Sequence, residues 1–351
     1  MLRYDSKIVL EDMKDIYERK MDWNQLKNAK VLVTGARGML AAYMVYFLSY
    51  LNEHCHFSVE IYALVRSSER AHEKFAGLEE KSYFHYVIQD VCEEIQIDEK
   101  MDYIIHAAGN ASPKYILSDP VGIIRANTLG TMSVLEFARK SQVKRVLYTS
   151  TREIYGKTEG IETICESDMG IMSTEEIRSC YPESKRMAEV LLKSYEYQYG
   201  VPYVNARIAH SYGPGMEIEG DGRVMADFIS NAVHGQDIVL KSDGSAVRAF
   251  CYLTDAVSGL FTILLHGQSG ESYNVANESE EYMIRDVAGM LAGIYPEKNI
   301  KVVFDIPREQ SLGYSKMGRT KLNLSRLEAL GWRAQVDLKT GMKRTVDSFE
   351  N

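Results

Sequence analysis

The chain has 351 residues, 45% of them hydrophobic and 26% charged, with 49 acids against 41 bases and a net charge of −8. That balance describes a globular protein with a sizeable core and excludes disordered, collagen-like and low-complexity chains. The bases are interspersed rather than clustered, which speaks against nucleic acid as a partner. The five scattered cysteines (Cys55, Cys92, Cys165, Cys180, Cys251) form neither a zinc pattern nor a disulfide framework, so a reducing, cytoplasmic setting is expected.

Residues 1–28 read as a helical extension, with Ile8, Leu10, Met13, Ile16 and Tyr17 at roughly helical spacing, packed on the main domain or on another subunit. Its charged start lacks the apolar stretch of a signal peptide. A strand at Lys30–Thr34 leads into a glycine turn and then an apolar run, Met39 to Leu51. That run is too short to cross a bilayer and reads as a buried helix, so no membrane partner is expected. Further apolar runs at Glu60–Val65, Tyr103–Ala107, Arg145–Ser150 and Tyr203–Ile208 read as strands. Helical patterns, including Pro120–Ser141 and Glu183–Tyr199, separate most of them. Apolar strands alternating with helices predict an α/β fold, a Rossmann-like, doubly wound parallel sheet over residues 29–208. Beyond about residue 209 a loop-rich stretch and mixed short elements predict a smaller C-terminal α/β region, 209–351. It is expected to interleave partly with the first domain and to bind substrate, with another helical pattern near Leu322–Leu330.

Two spacings carry chemistry. Gly35-Ala-Arg37-Gly38-Met39-Leu40-Ala41 follows a strand and opens a helix. Glycines there allow a tight turn and close approach to a pyrophosphate, which the helix amides attract. The second strand runs into Arg66 where a ribose-binding acid is usual. That residue is either a partner for a 2′-phosphate or a solvated arginine, and Asp90-Val91 could touch the adenine edge. Tyr181-Pro-Glu-Ser-Lys185 places a phenol and an ammonium four residues apart on one helix face. A nearby cation favours phenolate, which makes a base for a sugar hydroxyl, and Ser150-Thr151 ends a strand some thirty residues earlier.

Together these residues resemble the extended short-chain dehydrogenases, the nucleotide-sugar epimerases, dehydratases and decarboxylases, over about residues 29–335. The likeness is sharpest to the UDP-glucuronate decarboxylases at His106-Ala107-Ala108-Gly-Asn-Ala-Ser112-Pro113, Asn127-Thr-Leu-Gly-Thr131, Asp221-Gly-Arg223-Val224 and Arg248-Ala-Phe-Cys-Tyr-Leu-Thr-Asp255. The resemblance implies that Thr151, Glu153, Tyr181 and Lys185 are catalytic. It implies that Ala107, Ala108 and Asn127 join the turn residues around NAD, with NADP an alternative, and that Ser112, Arg152, His210, Arg223 and Arg248 meet a nucleotide-diphosphate sugar. It also implies a homodimer built through the helices near 121–139 and 184–199.

The strand-end segment Ser150-Thr-Arg-Glu departs from the family at Arg152, where dehydratases carry Asp and decarboxylases Ser. Arginine cannot serve as the general acid that expels a hydroxyl, which disfavours dehydration, whereas it suits a C6 carboxylate. His210 replaces the usual Asn and Gly215 a frequent Arg. The expected activity is therefore decarboxylation through a C4-keto intermediate. Epimerisation, 4,6-dehydration or C4-keto reduction are the alternatives within enzymes, and a non-catalytic cofactor-binding module is the alternative outside them.

Overall fold

The computed structural model describes residues 2–306 and 321–350. Seven parallel strands form its central sheet: β1 (Lys30–Thr34), β2 (Glu60–Val65), β3 (Phe84–Ile88), β4 (Tyr103–His106), β5 (Arg145–Thr151), β6 (Tyr203–Ile208) and β7 (Ser272–Val275). Their spatial order is 3-2-1-4-5-6-7, so the chain reverses direction across the sheet between β1 and β4. Loops at the carboxyl ends of the strands open a crevice at such a switch point. Two strands escape the sequence pattern. Both lie at sheet edges: β3 buries only Phe84, whereas β7 is mostly buried but only four residues long.

The two faces of the sheet follow the alternation along each strand. Val31 and Val33 point into a core shared with α2 (Met39–Cys55) and α6 (Leu253–His266). Leu32 joins the opposite core with α3 (Pro120–Ser141) and α4 (Cys180–Tyr199). Helix α2 buries residues on every side because α1 (Lys7–Glu18) covers it from outside through Val9, Met13 and Ile16. The same face of α1 carries Asp12, which accepts hydrogen bonds from the Tyr43 and Tyr252 hydroxyls, 2.9 Å each, and pairs with Arg344 at 2.6 Å. The N-terminal segment is thus tied into the main core.

After β6 the chain builds a separate apolar core from α5 (Val224–Val233), α7 (Ile284–Ile294) and α8 (Leu338–Glu350), centred on Phe228, Ile229, Val287, Leu291 and Met342. Between α5 and α7 it returns through α6 and β7 to the sheet. Strand β7 pairs with β6 in the register Asn274 to Arg207. The helical pattern near Leu322 resolves into a two-residue strand, Lys321–Leu322, and a short helix, Ser325–Ala329.

Candidate active site

Gly35 turns with φ +62°, and a Cβ there would lie 2.7 Å from the Ala107 carbonyl oxygen and from the Ala108 Cα. Only glycine lets the turn sit against the end of β4. Gly38 starts α2 with no side-chain cap, and no acid occupies its first turn, so the first amides beside Met39 and Leu40 face the crevice unmet by side chains. Asn127 on α3 is buried. Its Nδ2 donates to Ser184 Oγ at 2.9 Å, but its Oδ1 has no partner among the described residues. A Cβ on Gly109 would lie 2.8 Å from that oxygen and 3.6 Å from Lys185 Nζ. A glycine cradle, an uncapped helix start and an orphaned buried acceptor fit a dinucleotide stretched from the turn to Lys185.

At the adenosine end, Arg66 is exposed and Arg37 half-buried, and Arg37 Nε donates to the Arg70 carbonyl at 3.1 Å. Burial pushes the Arg37 guanidinium down, and the charges of Arg70 and Arg66 push the same way, so three arginines crowd the exit of β2. Arg70 was invisible in the sequence pattern because it belongs to a short helix of its own, Ser68–Lys74. The Asp90 carboxylate accepts from Cys92 N at 2.9 Å. That bond lowers its pKa, with the charges of Arg66 and Arg125 helping. Val91 is buried under Gly130 of α3, where it serves packing.

The reactive end is built on β5 and the start of α4. Tyr181 and Lys185 are both buried. Lys185 Nζ donates to the Thr149 carbonyl at 2.8 Å and stands 4.6 Å from the Tyr148 ring centroid. Burial depresses Lys185 to about 7 and pushes the Tyr181 phenol well above its ordinary value. The sequence expectation of a phenol lowered by its lysine is therefore corrected: in this enclosed site burial is the largest influence on Tyr181 and raises it. The charge of Glu153 adds to the rise of Tyr181, while a Thr151 hydrogen bond and the charges of Arg178 and Arg223 oppose it.

Thr151 ends β5, and its Oγ1 accepts from the Glu153 amide at 3.2 Å, capping a single 3₁₀ turn, Arg152–Tyr155. That turn swings Glu153 towards the start of α4. There Arg178 grips both carboxylate oxygens, Nη1 to Oε2 at 2.5 Å and Nη2 to Oε1 at 3.1 Å. Arg178 was missed from sequence, since no spacing singles out an arginine three residues ahead of the tyrosine.

The expected substrate residues form two pairs, with Arg248 in neither. Arg152 Nη1 donates to His210 Nε2 at 3.1 Å, which brings those two together just beyond the ends of β5 and β6. Ser112 Oγ donates to the Asp221 carbonyl at 3.3 Å, and Arg223 Nη2 to Asp221 Oδ2 at 3.1 Å. The HAAGNASP and DGRV segments are thereby joined, with Arg223 close enough to act on Tyr181. Arg248 lies on the short strand Val247–Arg248 and donates to the Val247 carbonyl at 2.8 Å, half-buried in the C-terminal region.

The sequence profile of the NAD-dependent epimerase/dehydratase family matches residues 31–276. UDP-glucuronic acid decarboxylase 6 of Arabidopsis thaliana is 32% identical over 322 residues, covering 92% of this chain and 89% of the plant protein. Among solved structures, a dTDP-glucose 4,6-dehydratase of Streptomyces venezuelae with NAD bound superposes with TM-score 0.75 at 24% identity, over 92% of this chain and 97% of that one. A UDP-glucose 4-epimerase of Thermotoga maritima with UDP-glucose gives TM-score 0.75 at 21% identity, over 92% and 98%. At those identities the superpositions establish the fold.

Proposed function

The chain belongs to the NAD-dependent epimerase/dehydratase family, and we propose that its reaction is the decarboxylation of a nucleotide-linked uronate, UDP-glucuronate first among them, through a C4-keto intermediate. It is an NAD-dependent enzyme that modifies nucleotide sugars. The observation that carries the finer reading is the convergence of Tyr181, Thr151 and Glu153 at the end of β5, beside a dinucleotide cradle and with Arg152 where a dehydratase needs an acid.

In this reading Gly35, Arg37, Gly38, Met39, Leu40, Ala107, Ala108 and Asn127 hold the dinucleotide, with Arg66 and Asp90 at its adenosine end. Bound NAD supplies the acceptor and later the donor of the C4 hydride. Tyr181 takes the C4 hydroxyl proton, Thr151 orients the phenol, and Lys185 fixes the ribose end and supplies compensating charge. A C4 ketone makes the C6 carboxylate part of a β-keto acid. Carbon dioxide leaves with the C5–C6 bond broken and its electron pair in the C4–C5 enolate. Glu153 relays a solvent proton to C5, and Tyr181 returns its proton as the ketone is reduced. Ser112, Arg223 and Arg248 bind the diphosphate and sugar, while Arg152, placed by His210, meets the C6 carboxylate as a charged planar donor.

Residues 209–351 serve as the substrate-binding region around this site. The outer faces of α3 and α4 leave Val121, Leu129, Met132, Met187 and Val190 exposed, which supports a homodimer closed through these two helices. Incubation with a panel of nucleotide sugars, followed by mass spectrometry, tests the reading. Loss of carbon dioxide from UDP-glucuronate is expected. Loss of water, or an isomer of unchanged mass from a neutral hexose, would instead identify a dehydratase or an epimerase.

A further inference from the structure

Glu153 rides on one 3₁₀ turn, and its carboxylate is about one-third exposed. Its direction is set from another element. Arg178 belongs to the 3₁₀ turn Ile177–Ser179, which runs straight into α4, so the guanidinium that grips Glu153 is three residues from the phenol of Tyr181. The grip is two-pronged, and two bonds to two oxygens constrain a carboxylate in rotation as well as distance. The bond to Glu153 is also the main cause that pushes Arg178 above its ordinary value, and Tyr181 contributes to the same rise. One fork therefore touches one proton-handling group and senses the other.

We propose that Arg178 is a positioning residue that aims Glu153 at the sugar C5 and couples that aim to the helix carrying Tyr181. The proposal rests on the decarboxylase reading above and adds a residue to it. When the C5–C6 bond has broken, the enolate must gain a proton at C5 before the C4 ketone is reduced. A carboxyl group held in one orientation takes up a solvent proton and passes it to C5 promptly, whereas a freely rotating one leaves the intermediate time to dissociate. Arg178 acts on this step through Glu153 and has no part in opening the C4–H bond. Lysine at the same position keeps the charge but loses the fork, so it should restore the function only in part.

The experiment compares wild type, Arg178→Lys and Arg178→Gln as full-length protein with UDP-glucuronate. For Arg178→Gln we expect kcat to fall by about 10²-fold, the scale of a displaced proton-transfer group, with KM nearly unchanged. We also expect a rising share of turnovers to end as released keto-pentose nucleotide with the cofactor left reduced, and Arg178→Lys to fall between the two. Unchanged kcat and partition would overturn the proposal. So would a raised KM at unchanged kcat, which would make Arg178 a binding residue. A lowered melting temperature with every step reduced alike would overturn it too, since that marks a structural role. Carbodiimide labelling of Glu153, read by peptide mass, needs no turnover and separates this proposal from the functional one. If wild type acts on no uronate, the decarboxylase reading fails, but increased labelling of Glu153 in Arg178→Gln would still uphold the clamp. Unchanged labelling would refute it.

Discussion

Lys185 directs its ammonium to the carbonyl of Thr149, 2.8 Å away, and so hangs from the strand that ends in Thr151 rather than from the phenol four residues before it. The helix and the strand are pinned to each other at the point where chemistry is expected. The ammonium is held in an enclosure that resists its charge, since burial brings Lys185 down to about 7.

This makes Lys185 a site where stability is given up for function. Between the folded value of about 7 and the ordinary 10.5, the unfolded chain holds a proton that the folded chain does not, so the lysine's contribution to stability rises with pH across that window. Lys185→Met should melt no lower than wild type at pH 7, its relative advantage should shrink towards pH 10, and its turnover should be lost. Thermal unfolding at several pH values checks this, and a Lys185→Met protein that melts well below wild type at pH 7 would contradict it.

Tyr181→Phe removes one buried hydroxyl and little volume. Turnover should fall by about 10²-fold or more while nucleotide-sugar affinity stays within a few-fold, because the lost oxygen acts on the proton alone. Paired steady-state kinetics and calorimetric titration would show it, and retained turnover would rule out the assigned base.

At the β2 exit the cluster Arg37, Arg66 and Arg70 faces the adenosine end without the usual ribose-binding acid. The protein should carry NAD when isolated yet bind added NADP measurably. Arg66→Asp should weaken NADP by about 10-fold or more and NAD far less, as expected when one charged hydrogen bond becomes a repulsion. Mass analysis of nucleotide released on denaturation and titration of both cofactors decide it. NADP alone in the released fraction would reverse the assignment.

Arg152 is held by His210 just beyond the ends of β5 and β6. Replacing it with Ser should weaken UDP-glucuronate by roughly 1.5–3 kcal/mol, the scale of a charge-assisted hydrogen bond, and leave UDP-glucose little changed. Equal small losses for both ligands would remove the C6 carboxylate from the role given to Arg152.

The sequence was most informative where physical need is local. The glycine turn, the strand before it, and the four-residue spacing of Tyr181 and Lys185 are each dictated within a few residues, and the structure puts them at the ends of neighbouring strands, the turn against β4 and Lys185 against β5. What stayed hidden depends on distant partners. Strand β3 is short and largely unburied because it lies on an edge, and β7 is four residues that pair with β6 only after a long detour through α5 and α6. Arg178 shares a salt bridge with a residue 25 positions earlier, a relation that no local pattern encodes. The rise of Tyr181 is hidden for the same reason, since spacing reports its neighbourhood but not how deeply the fold encloses it.

The central claim is that oxidation at C4, loss of the C6 carboxylate and return of the same hydride occur in one site, with Glu153 supplying the proton at C5. Turnover of UDP-glucuronate in deuterium oxide, read by proton NMR of the product, tests this directly. The account predicts a UDP-pentose with one deuterium at C5 and none at C4. Deuterium at C4, or a hexuronate product that keeps its carboxylate, would contradict it.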